Sequence, residues 1–233
     1  MLQIPLIEDL TKGPIPPGSN IIVEFDPASQ WYNASLTIAA GWARTGGTVS
    51  YGVHVQPPDK VRAQLSRLGL ETEELERNDR LRIWDWYTAT LGQKSKEKLA
   101  KNSLKIADVS IEHAKESMRG PPMPNYLRIW DTNSYFARFN DEKVWIEYEL
   151  TRVIPTGHLR QSTGIGGIIR GVHSDWVYKQ LEAAYDGVVD FRLDNEGEEI
   201  INRMRIRSMR NVAFDSHWHD LKLTNNFEVT IEK

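Results

Sequence analysis

The feature that most constrains this chain is a strand, a tight loop and a helix in immediate succession over residues 14–36. Ile21-Ile22-Val23 reads as a short apolar strand, and Leu36, Ile38, Ala39 and Ala40 belong to the helix that follows the loop. The same alternation continues downstream. Ala34, Leu36, Ile38, Ala39, Trp42 and Ala43 recur at helical spacing over 33–45, and Gly46-Gly47 marks the stop. A strand follows at Thr48–Val55, closed by Pro57-Pro58, and a helix over 59–68 carries Val61, Leu65 and Leu68 on one face.

Charged residues then cluster through 71–80, ahead of a strand at Leu81–Trp86. Its sequence Leu-Arg-Ile-Trp-Asp returns at Leu127–Asp131 without similarity on either side, so the two read as neighbouring strands of one parallel sheet, not as repeated units. Between them, a helix is expected from about Ala107 to Met118, with a proline-rich exit at 120–124. Helices at 141–154 and 176–184 enclose the glycine-rich strand Gly164–Ile169. Strands at 187–193, 200–209 and 219–231, with a turn at Asp194–Gly197, finish the chain. The expected fold is α/β, with a mostly parallel central sheet and antiparallel C-terminal strands. One domain over 1–233 is expected: a lead-in at 1–18, an α/β core at 19–193 and β strands at 194–233.

Composition narrows the function classes. In 233 residues, a 40% hydrophobic and 26% charged make-up is that of a globular protein, and a net charge of −3 gives no overall attraction to nucleic acid or anionic membrane. No apolar run reaches the roughly 20 residues that span a bilayer. Residues 1–9 lack a signal peptide's basic start and long apolar core, so a cytoplasmic location is expected. The absence of cysteine removes disulfides, thiolate metal sites and a cysteine nucleophile. Most of the eight tryptophans should be core or interface.

A phosphate-binding loop has the same strand–loop–helix layout, with the pattern G-x-x-x-x-G-K-[ST]. Its four fixed positions are occupied here by Phe25, Gln30, Trp31 and Tyr32. The flanks nevertheless carry a resemblance. Residues 13–24, the blocks Gly46–Tyr51 and Pro58–Leu70, the segment Ala184-Tyr185-Asp186-Gly187-Val188-Val189 and the run Met204–Asn211 resemble, in order, successive blocks of the KaiC-like branch of the RecA superfamily. The resemblance implies a three-layer α/β/α RecA-like P-loop NTPase fold.

It also implies where an ATPase's parts would lie. Asp131 takes the place of the magnesium-binding acid. The family's paired glutamates fall at Val55 and Gln56. Its lysine that reaches the nucleotide across a subunit boundary falls at Ser208, the glycine of the same motif at Asn211, and only Arg210 remains of the two cations. Phosphoryl transfer rests on positioning and charge stabilisation, so losing the loop lysine, the base and a cation removes ordinary ATPase chemistry. Trp31 and Tyr32 are expected to pack into the old site, and Asp131 to act as a structural hydrogen-bond acceptor. No cofactor is expected, ATP and magnesium included.

The function expected from the resemblance is therefore that of a non-catalytic, regulatory or scaffolding KaiC-like protein, with signal transduction as the expected setting. Its partner would be another protein, a second copy of itself or an active KaiC/RecA-like paralogue. Two alternatives use other residues. A RadA-type single-strand-binding accessory would employ Lys94, Lys96, Lys98, Lys101 and Lys105 with Arg160, Arg170 and Lys179, although acids interrupt the lysines and no aromatics interleave them. An altered nucleotide sensor or enzyme would use Asp131, Gln56 and His54 in a remodelled pocket. Asp215, His217 and His219 could hold a divalent metal if a strand put both histidines on one face. The Gly-x-Gly-Gly run at 164–167 precedes apolar strand residues, not a helix, which argues against a phosphate loop there.

Overall fold

Ile21, Ile22 and Val23 leave no face of their strand for water, and all three are completely buried. The computed structural model describes residues 3–101, 105–116, 118, 120–132 and 141–232, apart from the side chains of 106, 107, 112 and 116. The first two residues of the expected lead-in, the chain's last residue and residues 102–104 of the lysine-rich stretch lie outside this set. In chain order the elements are β1 (Asn20–Phe25), α1 (Trp31–Arg44), β2 (Thr48–Val53), α2 (Pro58–Arg67), α3 (Thr72–Arg77), β3 (Leu81–Asp85), α4 (Tyr87–Thr90), α5 (Ile106–Glu116) and β4 (Tyr126–Asp131). There follow α6 (Glu142–Tyr148), a π turn (Glu149–Val153), α7 (Ile154–Arg160), β5 (Thr163–Ile169), α8 (Asp175–Ala184), β6 (Gly187–Glu196), β7 (Glu199–Met209), β8 (His219–Leu223) and β9 (Val229–Ile231).

All nine strands join one sheet in the order β3-β2-β4-β5-β1-β6-β7-β8-β9, which puts β1 at its centre. From β3 to β6 the pairings are parallel, and from β6 to β9 antiparallel. Strand alternation sends side chains to two separate cores. One gathers Ile21 and Val23 with α1, with Val61 and Leu65 of α2, and with Ile4, Leu6 and Ile7 of the N-terminal lead-in. The other gathers Ile22 and Trp130 with Val109 of α5, Trp145 of α6 and Leu181 of α8. The molecule is thus three-layered, α/β/α.

Four expectations need correction. The two Leu-Arg-Ile-Trp-Asp strands are not neighbours, because β2 lies between β3 and β4 and pairs with both. Both flank β2, a lateral order that reading along the chain cannot reveal. The 219–231 segment is two strands joined by a turn in which Phe227 takes a positive φ of 63°. The turn at 194–197 is displaced: β6 runs through Glu196, and Gly197 with φ 66° makes the hairpin, so the expected boundary at 194 falls inside a strand. The helix at 141–154 extends to Arg160 through the π turn. Tyr148 and Val153 are five residues apart, out of step for an α-helix. One π turn brings both into the second core.

Both sheet edges are short. β9 has three residues, and on the other side the backbone of Asp85 in β3 is engaged by Leu99 O and the Lys101 amide, each at 3.0 Å.

Candidate functional site

The loop between β1 and α1 has no glycine, and three of its amides are occupied by the protein itself. Asp26 N donates to Phe191 O at 3.0 Å, Ser29 N to Asp26 O at 2.9 Å, and Gln30 N to the Asn202 side-chain oxygen at 3.0 Å. The Asp26 carboxylate in turn accepts from Leu193 N at 3.0 Å. A phosphate cradle needs such amides turned toward the ligand. Here three of them tie the loop to β6 and β7 or to itself.

Trp31, the first residue of α1, is 5% exposed. Its ring meets Phe191 edge-on at 5.5 Å between centroids and lies 6.1 Å from Phe25. On the sheet side it rests on β5, where a Cβ at Gly167 would come within 2.3 Å of the indole nitrogen. The other two glycines of that run serve the opposite face: a Cβ at Gly164 would meet Arg128, and one at Gly166 the ring of Trp130, each at 2.9 Å. The glycine-rich strand is therefore a packing solution for large side chains.

Beside Trp31, the Tyr32 hydroxyl donates to Gln64 Oε1 at 2.6 Å, and Gln56 Nε2 donates to the same oxygen at 3.3 Å. The Tyr51 hydroxyl sits 2.8 Å from that of Ser35. Burial pushes both tyrosine hydroxyls well above their ordinary pKa, so they stay protonated. Tyr32, Ser35, Tyr51 and Gln56 line a cavity of about 280 Å³ at the C-terminal ends of the parallel strands, with Gln64 behind them. Phe25, Trp31, Tyr32, Val55, Gln56 and Asp131 all line it, and so does His54, whose ring stacks on Trp86 at 5.3 Å.

Six of the nine sequence-predicted nucleotide-site positions thus converge. Gln30 lies in the loop outside the lining. Ser208 and Arg210 lie at the opposite end of the sheet, because β7 runs antiparallel and places Met209 against Gly187, the partner of Ile21 at the start of β1. Arg210 bonds back to Ala183 O at 2.5 Å. Among the described residues, Asp131 is the one charged side chain in the lining, and no lysine or arginine is among them.

Other candidates are dispersed. His217 precedes β8 instead of sharing a strand with His219, and Asp215 bonds His217 Nδ1 at 2.6 Å while lying 3.3 Å from His219 Nε2. The His217 amide and ring hold the Asp215 carboxyl below its ordinary range. Among the described residues no group of three such side chains is arranged to hold a metal. Of the five lysines, Lys94, Lys96, Lys98 and Lys105 are exposed, whereas Lys101 is buried with its ammonium 5.0 Å above the Trp84 ring, so the five share no single face. Arg170 is engaged by the fully buried Asp190 at 2.9 Å, and Arg160 donates to Pro121 O at 2.8 Å. Lys179 is exposed on α8.

Sequence reasoning missed Ser35, Tyr51 and Gln64. Tyr51 could have been found from β2's alternation, which puts it on the same face as Val49 and Val53 beneath α1.

A central, mostly parallel sheet is sandwiched by helices, with a cavity where β1 passes into α1, an α/β fold of the RecA-like kind that is shared with a KaiC-like structure. The solved structure of a KaiC-like protein from the hyperthermophilic archaeon Pyrococcus horikoshii superposes with a TM-score of 0.75 over 100% of this chain and 97% of that one, at 14% identity. No family model and no curated protein matches the sequence. Among the described residues no helix is long and apolar enough to cross a membrane.

Proposed function

We propose that this is a non-catalytic KaiC-like protein, a RecA-type scaffold that works through protein contacts and not through ATP turnover. The observation that carries the reading is Trp31: where a phosphate-binding loop has its lysine, an indole is packed between Phe25, Phe191 and Gly167. Two further facts support it. Three of the loop amides already have acceptors, and among the described residues no cation lines the cavity to offset triphosphate charge. The partner is a second copy of this chain or an active paralogue, whose nucleotide site this chain would complete or regulate.

One observation favours a second reading. The cavity beside Trp31 is close to the lower end of the size range of ligand pockets, and its aromatic and amide lining suits a small uncharged molecule better than a nucleotide. Thermal unfolding with millimolar ATP, ADP and GTP, each with magnesium, tests the primary reading. A ligand at 100 times its Kd adds about 2.7 kcal/mol of stability. No shift is expected, and a nucleotide-dependent rise in Tm would overturn the proposal.

A further inference from the structure

The opposite face of the same sheet carries a second hollow with the reverse electrostatics. β2 contributes only small residues to this face, Ser50 and Gly52, while β3 and β4 on either side contribute Trp84 and Trp130. Small between large makes a trough. Two adjoining hollows of about 110 and 150 Å³ share Ser50, Trp84 and Arg128. Lys101 lines the first, Arg82 and Arg160 line the second, and among the described residues neither lining contains a carboxylate.

Arg128 is the group left incomplete. Its Nη2 donates to Asn20 Oδ1 at 2.9 Å and its Nη1 to Val153 O at 3.4 Å, while its Nε is shut off from solvent with no partner. Among the described residues no carboxylate forms an ion pair with it. Glu149, fully buried, instead accepts from the Tyr185 hydroxyl at 2.8 Å. Burial lowers the Arg128 guanidinium from its ordinary value, against the opposing pull of Tyr185, Tyr126 and Glu149, and it lies over the Trp130 ring at 5.4 Å. His113 reports the same field. Burial, then Arg128, Lys101 and Arg152, push its imidazole down to about 3, and both its nitrogens are bonded, to Tyr148 at 2.6 Å and Thr156 at 2.9 Å.

We propose that this trough binds a small organic carboxylate, its head group on Arg128 and its apolar body among Trp86, Val109, Tyr148 and Val153. A planar guanidinium matches a carboxylate in shape as well as charge. The four apolar walls select against a bare inorganic anion. The site lies across the sheet from the Trp31 cavity, with Gly52, Ile129 and Trp130 lining both, and does not rest on the reading offered for that cavity.

The test is titration of the full chain with benzoate, followed by tryptophan fluorescence and by saturation-transfer NMR of the ligand, with benzamide and inorganic phosphate as controls. Saturable benzoate binding is expected, with both controls about tenfold or more weaker, as befits the loss of a charge-assisted bond or of the apolar contact. R128Q should abolish binding. Trp84→Leu, on the outer strand, should weaken it by about tenfold without unfolding the chain and stands in if R128Q does not fold. No saturable binding below about 10 mM, equal binding of either control, or undiminished binding by a folded Trp84→Leu variant would overturn the proposal.

Discussion

Single side chains decide what the sheet faces can hold. Gly167 is the clearest case, because any Cβ there meets the Trp31 indole at 2.3 Å. Gly167→Ala should therefore destabilise the protein by about 1–3 kcal/mol in urea unfolding, the usual cost of overpacking. The penalty should largely vanish when Trp31 is replaced by Leu, a non-additivity expected only of residues in contact. Glu149 gives a second prediction. Burial holds its carboxyl up at about 7, above the unfolded value. The folded state then retains a proton that the unfolded state has lost, so Glu149 contributes stability below pH 4.5 that is lost as pH rises through 7, on the order of 3 kcal/mol in all. His113, pushed down to about 3, acts in the opposite sense: the unfolded state protonates first, and stability falls as pH drops from 6.5. In the Glu149→Gln variant, stability should rise more steeply from pH 4.5 to 6.5 than in the wild type. Identical profiles would mean that Glu149 ionises freely.

At the scale of elements, the π turn between α6 and α7 is the joint that keeps two helical segments facing one core. Deleting Leu150, an exposed residue within it, would leave Tyr148 and Val153 four residues apart, in step for an ordinary α-helix, so both should stay in the second core. The deletion is therefore expected to cost no more than about 1 kcal/mol, whereas inserting a second residue there should cost several, and Tm measurements of both check it. The sequence carried the apolar positions Tyr148, Val153 and Ile154 plainly but not the phase slip, since a π turn changes the count between them without changing their identity. For the same reason α3 was hidden: Thr72–Arg77 is polar, with only Thr72 buried, and offers no apolar stripe to read. The strands of the parallel core were legible because they bury both faces and read as apolar runs. The pairing of β2 between its two look-alike neighbours was not, because lateral order is a property of crossover connections. Of the Trp31 cavity, the positions were legible through the resemblance, and the hydrogen-bonded floor of Tyr51, Ser35 and Gln64 was not.

For the whole molecule, the first core depends on the lead-in. Ile4, Leu6, Ile7, Leu10 and Ile15 are all buried, and the segment is stitched down by Glu8, whose carboxylate accepts from the amides of Ile4 at 2.5 Å and Ile15 at 2.7 Å. Each such side chain is worth about 1.5–3 kcal/mol of burial, and their sum rivals the net stability of a typical domain. A chain beginning at Ser19 should fail to show a cooperative unfolding transition or native near-ultraviolet circular dichroism. Full retention of both would show that the lead-in is an ornament on an independent core. The two ends of the sheet have a different consequence. A three-residue strand on one side, and on the other a five-residue strand whose last residue, Asp85, is already engaged by Leu99 and Lys101, give an incoming chain only a short ladder to extend. Copies of this protein that assemble must do so by docking finished surfaces, with their sheets kept apart. Such assemblies come apart on dilution, unlike a fibre, whose backbone continues from one subunit into the next.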